Sequence, residues 1–73
     1  LHEECAREEN LKMRAGEQVD ADELDDHEAH IAEHSRYYFS QEGRALGADK
    51  RKIFAEHIKL HGRMKAGEKK IKI

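Results

Sequence analysis

The chain has 73 residues, a net charge of -2 and 41 % charged residues, with two Tyr and two Phe as its aromatics and no Pro or Trp. A domain of that length buries only roughly 60 % of its surface, and with Cys5 as the single cysteine an internal disulfide is excluded, leaving metal or further protein as support. No apolar run approaches the roughly 20 residues of a membrane span and no signal-peptide pattern is visible, so the chain reads as soluble and intracellular.

The composition suits solvated helices, with disorder as the competing outcome, and the expected fold class is all-α: a small helical hairpin or three-helix segment with a His-rich interface. Leu1 to Ala15 is rich in good helix formers and Gly16 is a natural stop, giving an N-terminal helical unit over 1–16. Residues 17–25, with five acids and dispersed apolar residues, form an acidic linker. Asp25 and Glu28 have the spacing of a capping box, which places a helix start near Asp26 and its end near Phe39. A connector over 40–48 follows, with room for one helical turn between Gln41 and Leu46. The last helix starts at Asp49 as cap and reaches Ala66 before Gly67, completing a hairpin over 26–66 and leaving 67–73 as a basic tail. Gly62 lies inside that helix at a cost of about 1 kcal/mol relative to Ala.

Charge is unevenly placed. Residues 1–34 carry twelve acids and three bases, and residues 35–73 carry four acids and eleven bases. Opposed charges of this kind bring the two halves together, or one copy's acidic half onto another copy's basic half. Five bases from Arg63 to Ile73, without interleaved aromatics, describe a solvated end better than a nucleic-acid contact. Beginning on Leu1 instead of Met, the chain reads as a piece of a larger polypeptide.

The most informative feature is a duplicated stretch, His-Glu-Ala-His-Ile-Ala-Glu-His at 27–34 and Phe-Ala-Glu-His-Ile-Lys-Leu-His at 54–61. At about 100° per residue, His30, Ile31, His34 and Tyr38 share one helix face with His27, and His57, Ile58, His61 and Met64 share one with Phe54. In an antiparallel hairpin the index sum of residues at one height is constant, so a single register sets His30 beside His61 and His34 beside His57. An i, i+4 His pair on each of two facing helices can present four imidazoles to one ion. The candidate metal ligands are therefore His30, His34, His57 and His61, with His27 or Asp26 as alternates or outer partners, and zinc as the default ion. The competing and favoured reading has no cofactor: neutral imidazoles fill a wet seam and hydrogen-bond to nearby acids such as Glu33 and Glu56. A pH response is a third outcome, since six His titrate near neutrality.

Cys5 has no His partner in its own segment and reads as an inert, small apolar helix residue. Tyr37, Tyr38 and Phe39 more often close a helix onto its neighbour than form a partner patch. The acids from Asp20 to Glu28 lack the Gly and spacing of a calcium loop. No phosphate-binding Gly-rich loop or catalytic triad pattern is present, and the chain is not expected to be an enzyme.

Taken in order, Glu9, Asn10, Met13 and Gly16, then Asp-Asp-His-x-x-His-Ile-x-x-His at 25–34, Ser40, Leu46, and Phe-x-x-His-Ile-x-x-His at 54–61 resemble the C-terminal region of tailed-bacteriophage portal proteins, over about residues 6–64. The resemblance implies a virion structural protein of the head-tail connector: a ring, usually of twelve copies, at the capsid vertex through which DNA is packaged, assembled in the host cytoplasm. It implies a homo-oligomer that meets other phage head proteins, with DNA nearby but no specific readout, no membrane and no catalytic residue. In that setting the His faces pack within and between subunits. A small zinc-binding helical module is the alternative function. A fragment of a hemerythrin-like di-iron carrier is a weaker one, because such folds need four ligand-bearing helices.

Overall fold

The computed structural model describes residues 2–22 and 25–70, with side chains described over 4–22 and 25–66. The described residues form four helices and no strand: α1 His2–Arg14, α2 His27–Tyr38, α3 Gln41–Arg44 and α4 Ala48–Lys70. The fold is all-α, and none of the helices is long and apolar enough to cross a membrane. The expected start of the first helix at Leu1 lies outside the described residues.

α1 ends where Gly16 allows it. Gly16 adopts φ +97°, the Gly16 N–H donates to the Met13 carbonyl at 2.9 Å and the Glu17 N–H to the Lys12 carbonyl at 3.0 Å. This is a Schellman closure, which needs a left-handed residue at that position. α2 begins one residue later than the capping-box spacing indicates. Asp26, not Asp25, is the N-cap, and its carboxylate accepts from the Ala29 N–H at 3.1 Å.

α2 hands over to α3 through Ser40, whose hydroxyl donates to the Tyr37 carbonyl at 2.6 Å and accepts from the Gly43 N–H at 3.1 Å. α3 lies so close to the end of α2 that a Cβ at the buried Gly43 would overlap the Tyr37 carbonyl oxygen and sit 2.7 Å from that of Tyr38. Arg51 secures the corner from α4. Its guanidinium donates to the Tyr38 and Gly43 carbonyls at 3.2 and 2.7 Å, and lies 4.0 Å over the Tyr38 ring. These carbonyls lie at the ends of α2 and α3, so one cation serves two termini, and the Gly43 carbonyl also accepts from the Leu46 N–H at 3.2 Å.

α4 starts at Ala48 and continues through Gly62 and past Gly67 to Lys70, where the sequence suggested a stop and a separate tail. It runs antiparallel to α2 in the register that the duplication indicates: Tyr37 stacks on Phe54 with centroids 5.2 Å apart, His34 meets His57 at 4.7 Å, and His30 stacks on His61 at 4.7 Å. α1 lies against both helices. Lys65 reaches Glu28 at 2.7 Å, so the basic and acidic halves meet within the chain, though an exposed pair adds little stability.

The interior is unusual in kind. Among the described residues Ala6, Met13 and Phe54 are the buried apolar ones, against six buried polar ones: Asn10, His30, Glu33, His34, His57 and His61. Burial of a Phe or Met side chain contributes roughly 1.5–3 kcal/mol. A core with two such side chains leaves much of its stability to what the buried polar groups do for one another. Of the aromatic run, Tyr37 and Tyr38 close the hairpin while Phe39 is exposed, and Cys5 is exposed on α1 instead of packing as an apolar residue.

Candidate metal centre

Glu9, His30, His34, His57 and His61 each place one ligand atom within 4.8 Å of all the others. Among the described residues no other such group of His, Cys, Asp or Glu occurs. Four helical positions from α2 and α4 supply the imidazoles, at i, i+4 on each helix, where two side chains share one face. The four rings are 0–3 % exposed. The fifth group comes from α1, where Ala6, Glu9, Asn10 and Met13 fall on the face turned toward the hairpin.

The contacts converge on one carboxylate oxygen. Glu9 Oε1 lies 3.3 Å from His30 Nδ1, 3.2 Å from His34 Nε2 and 3.1 Å from His57 Nε2. Ring nitrogens also approach one another: His57 Nε2 is 3.1 Å from His61 Nε2, and His30 Nδ1 is 3.4 Å from His34 Nε2. Two nitrogens bound at 2.0–2.1 Å to one ion at a tetrahedral angle lie about 3.3 Å apart. The separations in the cluster are those of ligands around a common centre.

The outward nitrogens decide which lone pairs face inward. The His57 Nδ1–H donates to the Val19 carbonyl at 2.7 Å, and the His34 Nδ1–H donates to Asn10 Oδ1 at 2.7 Å. A carbonyl can only accept, so Nδ1 of each ring carries a proton; the neutral ring then bears a lone pair on Nε2, and the protonated ring donates from Nε2 to Glu9 Oε1. His61 carries its own outer partner, His27 Nδ1, at 2.8 Å from His61 Nδ1. His30 Nε2 lies 3.9 Å from Asp25 Oδ1. Outer acceptors that orient imidazoles in this way are the usual support of metal-bound His.

The electrostatics keep the donors in their ligating forms. Burial alone would raise the Glu9 pKa, but hydrogen bonding with His34 and His57 and attraction from His30 and His57 outweigh it and hold the carboxyl well below the usual range. Burial pushes His34 down despite its hydrogen bond to Glu9. Burial and then the neighbouring His57, His30, His34 and His27 push His61 down to about 4. The shifts of Glu9, His34 and His61 favour an ionised carboxylate and two neutral imidazoles, the protonation states that metal binding requires.

All four sequence-expected ligands are thus brought together. Of the two alternates, His27 stands behind His61 and Asp26 serves as the α2 cap. The acids expected to satisfy the imidazoles do not: Glu33 is paired with Arg36 one turn along α2, and Glu56 is exposed. Glu9 and Asn10 take that role from a helix that sequence reasoning treated as a separate unit. The available signal was the i, i+4, i+7 spacing of Ala6, Asn10 and Met13 with Glu9 on the same side. His2, the sixth histidine, lies outside the described side chains. No family model, curated protein or solved structure matches this chain.

Proposed function

We propose that the chain is a non-catalytic, metal-stapled helical module whose centre binds one divalent transition ion, zinc by default, through His30, His34, His57 and His61 with Glu9 as the carboxylate ligand. The observation that carries this reading is the convergence of His34 Nε2 and His57 Nε2, each on a ring whose Nδ1 donates outward, at 3.2 and 3.1 Å from one oxygen of Glu9, which in the neutral rings sets lone pairs against that oxygen. Acceptors set against each other in a buried site repel, and burying polar groups without a partner costs free energy. A cation among them turns each repulsion into a bond. Imidazole nitrogen suits zinc as well as copper, iron and nickel. The ion would join α1, α2 and α4 and supply the support that a core of this size lacks.

The test is metal content together with helicity. Protein purified without added metal and then exposed to a chelator should release one equivalent of metal and lose helical signal, and zinc should restore it. Absence of stoichiometric metal with helicity unchanged under chelator contradicts the proposal.

We further propose a setting: an assembly segment in the C-terminal region of a tailed-phage portal, where the module packs against copies of itself. It rests on the sequence resemblance over about residues 6–64. Glu9 and Asn10 of the portal-like pattern contact His34 from α1, Met13 is buried on the same helix, and Gly16 is the residue that ends α1. The coding sequence upstream of Leu1 is then expected to encode a portal wing and stem, and a start codon there would contradict the setting. Sedimentation gives a second check, with self-association expected at high concentration.

A further inference from the structure

The five ligands of this centre are not equally enclosed. The His30, His34 and His61 side chains are 0 % exposed and that of His57 is 2 % exposed, whereas the Glu9 side chain is 19 % exposed. Glu9 is therefore the most solvent-exposed of the five. The same residue differs from the others in how it is held: the imidazoles of His34, His57 and His61 are each anchored from behind by Asn10, Val19 or His27, while Glu9 approaches them through the single oxygen Oε1. Charge adds a third distinction. Four neutral imidazoles leave a divalent ion with its full +2 charge in a pocket of low polarity, and one anion there lowers this to +1. What the position demands is a small anion, and Glu9 is the one that the chain itself provides.

We propose, resting on the metal reading above, that the Glu9 position is an exchangeable coordination site: an ion held by the four imidazoles accepts a small external carboxylate in place of the Glu9 side chain. The exchange needs no covalent step. The metal–oxygen bond to Glu9 breaks, a metal–oxygen bond to the incoming carboxylate forms, and the charge of the centre is conserved. Glu9 is then an internal occupant of an anion site.

Cobalt(II) is the probe, because its visible absorption reports the number and type of its ligands. Wild type and Glu9→Ala are loaded with cobalt and titrated with formate and acetate, with sodium chloride at equal ionic strength as control. The expected result is one equivalent of cobalt in both proteins, a saturable spectral change with formate or acetate in Glu9→Ala, and a response at least tenfold weaker in wild type, whose own carboxylate competes. Where the alanine chain loses helicity, Glu9→Gln, which keeps the side-chain volume, carries the same measurement. A variant that binds cobalt but shows no response to carboxylate overturns the proposal, as does a folded variant that no longer binds cobalt while wild type does. Failure of wild type itself to bind cobalt is a different result, and overturns the metal centre on which the exchange rests.

Discussion

The α2/α4 interface keeps one antiparallel register from end to end but is filled in two ways. Near the connector, Tyr37 stacks on Phe54 and Arg51 covers Tyr38 while binding two helix-end carbonyls. Farther along, the paired positions are His34 with His57 and His30 with His61. At the aromatic end the ring stacking and the Arg51 contacts are favourable with nothing added, and the buried Tyr37 hydroxyl, which has no hydrogen-bond partner among the described residues, is the exception. At the histidine end the same geometry gathers ring nitrogens and one carboxylate, and becomes favourable when a cation joins them. One hairpin thus combines an end that packs unaided with an end that packs conditionally.

Paired substitutions break this comparison most sharply. Phe54→Ala should cost about 3–5 kcal/mol by leaving a cavity, comparable with the whole stability expected of a chain this short, roughly 0.05–0.15 kcal/mol per residue. The metal-free variant should be largely unfolded, yet zinc should recover helix, because the ligands remain. His57→Ala should do the reverse, keeping more metal-free helix but losing the zinc-dependent gain, about 4 kcal/mol at a thousandfold excess over Kd. Chemical denaturation of both variants with and without zinc separates the two ends.

Acid should act on the histidine end. His61, pushed down to about 4, and His34, also lowered, bind protons more readily unfolded than folded. Their contribution is present above the ordinary His pKa and is lost as pH falls from about 6.5 toward 4. The lowered Glu9 works in the same direction below the ordinary carboxylate range. Metal-free protein should therefore show a falling melting temperature across that window, and Phe54→Leu, altered only at the aromatic end, should keep the same pH slope.

Smaller effects should be indifferent to metal. Arg51→Ala removes a cation over Tyr38 and two hydrogen bonds to carbonyls, for a loss of about 1–2 kcal/mol with or without zinc. Gly62→Ala should stabilise α4 by up to about 1 kcal/mol, since a Cβ there meets no heavy atom within 4 Å and the glycine has no positive φ. Thermal melts at neutral pH check both.

The comparison also marks what could be read from the chain. Each half of the hairpin carries its pattern locally: the i, i+4 spacing puts His30 with His34 and His57 with His61 on one face, and the duplication then sets the register. Glu9 could not be placed in this way. Its approach to the cluster depends on the Gly16 closure and on the path of the linker that carries Val19 to His57, both of them tertiary matters. Local acids such as Glu33 looked nearer in sequence, but Glu33 lies one turn from Arg36 and pairs with it. Nothing local to Gly43 announces its constraint, the close approach of the Tyr37 and Tyr38 carbonyls.

X-ray absorption at the zinc edge tests the central claim most directly. Zinc added at one equivalent should show a ligand shell of nitrogen and oxygen alone at 2.0–2.2 Å, with the outer scattering of several imidazoles. A sulfur ligand at about 2.3 Å would place the ion on the exposed Cys5, and a shell of water oxygens without imidazole scattering would show that the buried cluster does not take it; either result contradicts the account.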